Sequence, residues 1–139
     1  MLVVLRGGII FAADLIRKLD LPLRLDTVGV SSYRGAATEP SELRVVASPT
    51  LDLRGRNVLL VDDILDSGLT LARLREDAFA RGARSVAIAV LLDKPARRRA
   101  DVHADFVGFT IPDVWVVGYG LDHDERYRNL PFLAALELP

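Results

Sequence analysis

The feature that most constrains the fold is an uninterrupted apolar run at positions 58–61, followed at once by Asp62 and Asp63. A run without polar residues is typical of a strand buried on both faces, as in a parallel sheet covered by helices. The segment 69–81 has helical character, and Gly82 stands where that helix would end. In parallel sheets, ligands bind beyond the carboxyl ends of the strands. The order of strand, acidic pair and helix therefore predicts an α/β domain with a binding site close to Asp62.

The remaining sequence alternates in the same way between apolar runs and helical spacing. We predict a helix over 9–19 and a polar, mobile loop over about 33–42. The further predicted strands are 2–5, 26–32, 43–47, 85–92, 105–109 and 115–117. This alternation predicts one domain, residues 1–139, built on a mostly parallel, twisted sheet that is flanked by helices.

Composition narrows the class of protein. Half of the 139 residues are hydrophobic and 27% are charged, which suits one ordered core. A net charge of -1 argues against a general nucleic-acid binder. The absence of cysteine excludes disulfides and thiolate metal sites, and the presence of only two histidines argues against a histidine-based one. No apolar run approaches the ~18 residues that cross a bilayer, and no signal peptide is evident. We expect a cytoplasmic protein with neither a membrane nor a nucleic-acid partner.

The acidic pair and the residues after it have a shared chemistry. Adjacent carboxylates at Asp62 and Asp63, after a buried strand, are costly unless a cation or hydroxyl donors meet them. Gly68 then allows close backbone approach, and Ser67 and Thr70 offer hydroxyls. The free amides at the start of a helix bind anions. Together the segment predicts a site for a ribose that carries a 5-phosphate.

Each piece also has a structural alternative when it is taken alone. Asp66 or Ser67 can be a helix N-cap, and Asp62 with Asp63 can be a solvated strand end. A P-loop is a poor fit because its Gly-x-x-x-x-Gly-Lys pattern is missing. The whole ordered string favours the sugar phosphate interpretation.

The segment 58–70 resembles the phosphoribosyl pyrophosphate binding motif of type I phosphoribosyltransferases. The rest of the chain resembles the hypoxanthine-guanine branch of that family, over the stretches 4–15, 31–33, 91–95, 105–113 and 117–122. The family often has glutamate at the position of Asp62, so this residue is a shorter variant. The resemblance implies the type I phosphoribosyltransferase fold, with residues of about 110–139 contributing to a hood over the purine.

The resemblance also implies a shortened N-terminal strand and helix. Relatives usually carry a helix and the beginning of the first strand before the point where this chain starts. A genuinely short protein, a misassigned start and a truncated chain all stay open. Loss of that cover predicts an exposed apolar patch.

The activity implied by the resemblance is purine salvage. A 6-oxopurine, hypoxanthine or guanine, would attack phosphoribosyl pyrophosphate through N9, giving IMP or GMP and pyrophosphate, with Mg²⁺ as cofactor. The resemblance further implies a homodimer or homotetramer. Two alternatives remain: a regulator of the same fold that senses nucleotide and binds nucleic acid, and an inactive, truncated relative.

The resemblance assigns roles to individual residues. Asp66 would act as proton acceptor near purine N7. The residues implied for the phosphoribosyl group and its 5-phosphate are Asp62, Asp63, Asp66, Ser67, Gly68, Leu69 and Thr70. Those implied for pyrophosphate are Arg6, Gly7, Arg128 and Arg98 or Arg97. Those implied for the purine are Lys94, Trp115, the Val116 backbone and Asp122. Magnesium would be held by Asp62, Asp63 and Asp122, and Ser32 with Tyr33 would begin a closing loop.

Several of these residues have a structural alternative as well. Lys94 can be a solvated loop lysine, Trp115 a core side chain and the arginines at 97–99 a solvated face. Arg6 can lie in solvent at an ordinary turn, and the loop after Ser32 can be an ordinary surface loop. The resemblance predicts, in addition, a cis peptide bond between Leu5 and Arg6, which is rare outside proline and needs functional support.

Overall fold

The computed structural model describes residues 1–32 and 43–137. Within them lie eight strands, two α-helices and one short 3-10 helix, Pro95–Arg97. The strands are β1 (Leu2–Leu5), β2 (Asp26–Ser32), β3 (Leu43–Ala47), β4 (Asn57–Leu65), β5 (Ser85–Asp93), β6 (Phe106–Thr110), β7 (Trp115–Val117) and β8 (Ala134–Leu136). The helices are α1 (Ile9–Ile16) and α2 (Leu69–Ala80).

Six strands form one sheet in the order β3-β2-β1-β4-β5-β6. Strands β2, β1, β4, β5 and β6 pair in parallel, and only β3 joins antiparallel. The predicted mostly parallel sheet is therefore confirmed. Helices α1 and α2 form the crossovers between parallel strands, as short strand–helix–strand units require.

Two element ends differ from the prediction by more than one residue. Strand β4 continues to Leu65, because its backbone stays in register with β5 up to the pair of Leu65 and Asp93. Asp62 and Asp63 consequently lie within the last part of the strand and not after it. Helix α1 ends at Ile16 and not at 19, because Lys18 and Leu19 donate to carbonyls three residues back, which tightens the chain into a turn.

The core has a layer on each face of the sheet. On one face Leu71 and Leu74 of α2 pack with Leu60 of β4 and Ile88 of β5. On the other face Ala12 of α1 packs with small residues of β1, β4 and β5, namely Val3, Val61 and Ala89. Alternate residues of the strands serve the two layers, as the pleat requires. The sheet is thus held rigid beneath the carboxyl ends of its central strands.

A small antiparallel sheet of β7 and β8 stands beside the main sheet. Strand β8 was not predicted, because three residues, Ala-Ala-Leu, carry no strand signature. Leu121, which follows β7, packs with Leu91 and Leu92 of β5 in a third buried cluster. This contact anchors the C-terminal segment next to the end of β5.

An open apolar groove of about 1090 Å³ runs along the opposite end of the sheet, lined by Met1, Phe11, Leu15, Leu59, Phe106 and others. The predicted exposed apolar patch is therefore present. Phe106 and Phe109 of the edge strand β6 are also exposed. Among residues 1–32 and 43–137, no helix has both the length and the apolar character needed to span a membrane.

Candidate active site

A polar cavity of about 280 Å³ opens where β1 and β4 end. The residues that line it come from the ends of both strands, from β2 and from the start of α2. They are Val4, Leu5, Gly7, Val30, Asp62, Asp63, Ile64, Leu65, Asp66, Ser67, Gly68, Thr70 and Leu71. The structure thus brings most of the residues predicted for the phosphoribosyl group, together with Gly7, around one cavity, at the sheet edge where ligands bind in this architecture.

The acidic pair is the main source of charge in this cavity. Asp62 is only 8% exposed, and its Oδ1 accepts the amide of Asp63 at 2.9 Å. Asp63 is half-buried, and its Oδ1 accepts the amide of Ile64 at 2.9 Å. Burial, followed by the negative charge of Asp63, raises the pKa of Asp62 well above its ordinary value. The pair is not a solvated strand end; it favours a bound cation or hydroxyl donors.

The loop after the acidic pair begins α2 through a left-handed glycine. Gly68 has φ +81° and occupies the N-cap position, without a side-chain cap bond. Asp66 and Ser67 are therefore not the N-cap, and the Oγ of Ser67 lies 3.5 Å from the amide of Leu69. The Oδ1 atom of Asp66 is buried and has no hydrogen-bond partner among the described residues. A buried acceptor of this kind is available to a donor on a bound substrate.

Arg98 stabilises this loop by hydrogen bonds to its backbone. Its guanidinium donates to the carbonyls of Asp66 at 3.0 Å, Leu65 at 3.2 Å and Val102 at 2.7 Å, and to the carboxylate of Asp93. The carbonyl of Ser67 accepts the amides of residues 99 and 100 at 2.8 and 3.1 Å. The structure therefore does not bring Arg98 to the Arg6–Gly7 turn, because protein acceptors already occupy its donors.

The neighbouring Arg97 does not reach that turn either. It is exposed and lies 3.7 Å from the carboxylate of Asp113. Of the three consecutive arginines, only Arg98 is withdrawn from solvent, with 17% of its side chain exposed. A pyrophosphate contact by either residue stays a prediction, and this geometry does not support it.

The turn after β1 lies against both the acidic pair and the C-terminal segment. The peptide bond between Leu5 and Arg6 is cis, as predicted. A side chain at Gly7 would collide with the carboxylate of Asp63, and one at Gly120, which has φ +103°, would collide with the carbonyl of Gly7. Glycine at these two positions thus allows three chain segments to meet closely.

Arg6 and Arg128, both predicted to bind pyrophosphate, approach each other through acidic partners. Arg6 pairs with Glu125 at 3.2 Å. Arg128 pairs with Asp122 at 2.8 Å and with the same Glu125 at 3.3 Å, and it donates to the carbonyl of Gly120 at 2.9 Å. The Nε of Arg128 is buried without a partner among the described residues. Both guanidinium groups therefore lie at the Arg6–Gly7 turn, where they could contact an anionic ligand.

The predicted purine residues Lys94 and Trp115 flank one turn. Lys94 is 4% exposed, so it is not a solvated loop lysine. Its amide donates to the carbonyl of Leu65 at 3.0 Å, and its Nζ donates to the carbonyl of Val114 at 3.0 Å. Trp115 is 41% exposed and not a core residue, and its ring stands edge-on to His123 at 5.4 Å. The position of Val116 is held by backbone pairing with Ala135.

The predicted magnesium ligands do not form one cluster. Asp62 and Asp63 line the cavity, whereas Asp122 is held by Arg128 and by the amide of Glu125. Within the described ranges, no three acidic or histidine side chains converge as a preformed metal cage. Of the predicted closing loop, Ser32 ends β2, and Tyr33 lies outside the described residues together with 34–42.

Three features of the site were not predicted from the sequence. Glu125 was one of several acidic residues after Asp122, with nothing to relate it to Arg6. Asp113, whose carboxylate lies 3.5 Å from the Nζ of Lys94, likewise had no predicted role. The hydroxyl of Tyr119 donates to Asp14 of α1, and this bond lowers the pKa of Asp14. Only Gly120 carries a sequence signal for this region, because a glycine two residues before Asp122 is typical of a turn.

Comparison with known proteins agrees with this arrangement. The sequence profile of the phosphoribosyl transferase domain matches residues 2–124. A hypoxanthine-guanine phosphoribosyltransferase of Bacillus subtilis (strain 168) is 48% identical over 134 residues, which span 96% of this chain and 74% of that protein. A solved hypoxanthine phosphoribosyltransferase from Staphylococcus aureus is 42% identical, with a TM-score of 0.91 over 98% of this chain and 74% of that one.

A solved hypoxanthine phosphoribosyltransferase from Trypanosoma cruzi, in complex with the product IMP, has a similar structure. It is 38% identical, with a TM-score of 0.89, and the match covers 98% of this chain and 73% of that one. The matched regions include every residue discussed above from the acidic pair to Asp122. The chain therefore belongs to the phosphoribosyltransferase family, in its hypoxanthine-guanine branch.

Proposed function

We propose that this protein is a purine salvage enzyme that transfers the 5-phosphoribosyl group from phosphoribosyl pyrophosphate to N9 of hypoxanthine or guanine. The products are IMP or GMP and pyrophosphate. The observation that carries the proposal is the meeting, at one edge of the sheet, of an acidic pair with a buried Asp62, the loop that begins α2, and the buried Lys94. The names of the similar enzymes support the same reaction.

The proposed mechanism begins with binding of the sugar. Asp62 and Asp63 accept hydrogen bonds from the ribose hydroxyls, which relieves the cost of burying Asp62 as an anion. Ser67, Gly68, Leu69 and Thr70 hold the 5-phosphate with the free amides and hydroxyls at the start of α2. The carboxylates around the ribose then stabilise the positive charge that develops at C1 as the pyrophosphate leaves.

The purine is held from the other side of the cavity. The Nζ of Lys94, which donates to the Val114 carbonyl in the free protein, is placed to donate to O6 of a 6-oxopurine. Trp115 supplies an exposed aromatic face for stacking, and the Val116 backbone and Asp122 complete the edge of the base. Asp66, with its unpartnered Oδ1, accepts the proton near N7. These assignments make residues 110–139 a hood within a single domain, 1–139.

The acidic residues present fit magnesium. Mg²⁺ prefers oxygen ligands, keeps several waters and needs only one or two carboxylates. Asp62 and Asp63 would hold an ion at the ribose, and Asp122 would hold one at the pyrophosphate. An ion held there would supply positive charge to the pyrophosphate leaving group.

We also propose that the protein forms a homodimer or homotetramer. The exposed Phe106 and Phe109 and the open apolar groove support self-association. Light scattering coupled to size-exclusion chromatography would measure the mass directly. A monomer at micromolar concentration would contradict this part of the proposal.

The decisive experiment for the reaction is an assay of pyrophosphate release. The folded protein is mixed with phosphoribosyl pyrophosphate, magnesium and one base at a time: hypoxanthine, guanine, xanthine or adenine. Turnover with hypoxanthine or guanine, and little with adenine, is expected. A folded protein that turns over no 6-oxopurine would exclude the proposed activity, and a salt-dependent affinity for RNA in that protein would favour a regulator.

A further inference from the structure

The two arginines at the Arg6–Gly7 turn share one acidic partner that the proposed mechanism does not use. The Oε2 of Glu125 lies 3.2 Å from Nη1 of Arg6 and 3.3 Å from Nη2 of Arg128, and its Oε1 accepts from Nη2 of Arg6 at 3.3 Å. Asp122 pairs with Arg128 from another side. Two cations that would bind an anionic ligand are therefore neutralised by two carboxylates in the free protein.

The backbone around Glu125 is built to keep this carboxylate in place. Residues 123 and 126 exchange two backbone hydrogen bonds, and the central residues Asp124 and Glu125 have φ +52° and φ +60°. Two positive φ values make this a type I′ turn, which favours Gly, Asn or Asp. Asp124 suits the turn, whereas Glu125 does not, so its backbone carries a conformational cost. The amide of Glu125 donates to Asp122 at 2.9 Å, which ties the turn to the second carboxylate.

We propose that Glu125 is a counter-ion for Arg6 and Arg128 that pyrophosphate must displace, and that it thereby sets how tightly the enzyme holds pyrophosphate. The inference rests on the proposed function. A carboxylate and a phosphate group present similar pairs of oxygens to a guanidinium, so they compete for the same donors. Glu125 keeps the two arginines together before the substrate arrives. It also returns to them when pyrophosphate leaves, which weakens retention of that product.

The variant Glu125→Gln removes the competing charge and keeps the size of the side chain. Because Arg6 and Glu125 are largely accessible to solvent and the more buried Arg128 still exposes 28% of its side chain, solvent screens both ion pairs and each is weak. We expect pyrophosphate to bind about two- to fivefold more tightly to this variant. The Michaelis constant for phosphoribosyl pyrophosphate should fall by a similar factor, and that for hypoxanthine should not change.

The matched control is Asp124→Asn, which removes one negative charge from the same turn. Asp124 is exposed and has no ion pair among the described residues. A general change in the local field would affect both variants equally, whereas release of a direct competitor affects only Glu125→Gln. Titration calorimetry with pyrophosphate and magnesium gives the dissociation constants of the unaltered protein and both variants.

The outcomes separate this inference from the proposed function. Tighter binding by Glu125→Gln alone supports the counter-ion role. Equal or weaker binding by that variant, or the same gain in Asp124→Asn, overturns the role while the proposed reaction stands. If the unaltered protein binds no pyrophosphate and catalyses no transfer, the proposed function fails and the inference fails with it.

Discussion

Asp62 lowers the free energy of unfolding when its side chain is charged. The side chain is buried beside Asp63, and burial together with that charge raises its pKa. The folded protein therefore binds a proton at Asp62 more tightly than the unfolded chain does. This preference stabilises the fold below the unfolded pKa, at about pH 4, and the stabilisation is lost as the pH rises through the folded value. Above the folded pKa, the charged form of Asp62 is retained at a cost that hydrogen-bond donors on a ligand would offset.

Replacing Asp62 with Asn should separate stability from activity. The amide keeps the Oδ1 acceptor for the Asp63 amide and removes the buried charge. We expect Asp62→Asn to raise the free energy of unfolding by about 1–3 kcal/mol at pH 7, with the difference shrinking toward pH 4, and to lower kcat/KM strongly. Urea unfolding at several pH values measures the first effect. The exposed Asp20→Asn serves as control, and a loss of stability in Asp62→Asn at pH 7 would contradict the argument.

Lys94 is the other residue whose burial needs a functional reason. The chain contains only one other lysine, the exposed Lys18, so the pair offers a matched comparison. Loss of a charged hydrogen bond to a ligand costs about 1.5–3 kcal/mol, or roughly ten- to a hundredfold in affinity. Lys94→Ala should weaken hypoxanthine binding by that factor and leave phosphoribosyl pyrophosphate binding within about twofold.

Binding of each ligand to the Lys94 variant can be measured separately by calorimetry. Lys94→Met, which fills more of the vacated space, guards against a loss caused by misfolding. Lys18→Ala should bind both ligands normally. Equal weakening of both ligands in a folded Lys94 variant would refute the purine role.

The element that organises the site is the junction of β4, the loop and α2. The loop is held from below by Arg98, whose donors bind the carbonyls of Leu65 and Asp66. Gly68 begins the helix with a left-handed backbone, and a Cβ there would lie 2.6 Å from Val102 and 2.9 Å from the Arg98 side chain. The direction of the helix amides therefore depends on a glycine that is both left-handed and tightly packed.

A comparison of two glycine variants tests this junction. Gly55 also has a positive φ, of +68°, but a Cβ there would meet nothing within 4 Å. Gly55→Ala should lower the free energy of unfolding by about 1 kcal/mol, the cost of a left-handed backbone at alanine. Gly68→Ala should lower it by about 2–4 kcal/mol, because steric crowding adds to that cost. Thermal or denaturant unfolding of both variants gives the difference. Similar losses in the two would show that the loop yields easily to a side chain.

At the scale of the whole molecule, the main feature is the packing of the C-terminal segment against the turn after β1. Gly120 packs closely against the carbonyl of Gly7, and the hydroxyl of Tyr119 donates a hydrogen bond to Asp14. Leu121 is buried against the end of β5. Arg128 then meets the same turn through Glu125 and Gly120. Residues that are far apart in the sequence thus meet at the turn after β1.

Gly120→Ala should disturb this docking. Its Cβ would fall on the Gly7 carbonyl, so the hood or the turn must shift. We expect a stability loss of about 1–3 kcal/mol and a Michaelis constant for phosphoribosyl pyrophosphate that rises at least several-fold. Steady-state kinetics measures the second effect, with Gly55→Ala as the control for a positive φ. An unchanged constant would mean that the contact does not position the Arg6–Gly7 turn.

Structural features that depend on residues close together in the sequence could be predicted from the sequence alone. The parallel sheet follows from apolar runs such as 58–61, because burial on both faces excludes polar residues. The acidic pair, the loop to Thr70 and Lys94 follow such runs in the sequence, so their place at the sheet edge follows from the fold class, whereas the burial of Lys94 was left open. The cis bond after Leu5 was predicted from family resemblance and is present.

Contacts between residues that are far apart in the sequence could not be predicted from the sequence alone. Arg98 stood in a run of three arginines, and only folding shows that it reaches back across about thirty positions to the loop carbonyls. Arg6 and Glu125 are 119 positions apart, and no local pattern relates them. Local conformation follows from side-chain shape and burial over a few residues, whereas charge pairing follows from packing of the whole chain. The pattern of the chain therefore predicted the sheet and the sugar phosphate motif, whereas only the folded arrangement shows that Arg98 supports the loop and that Arg6 and Arg128 share Glu125 at the turn after β1.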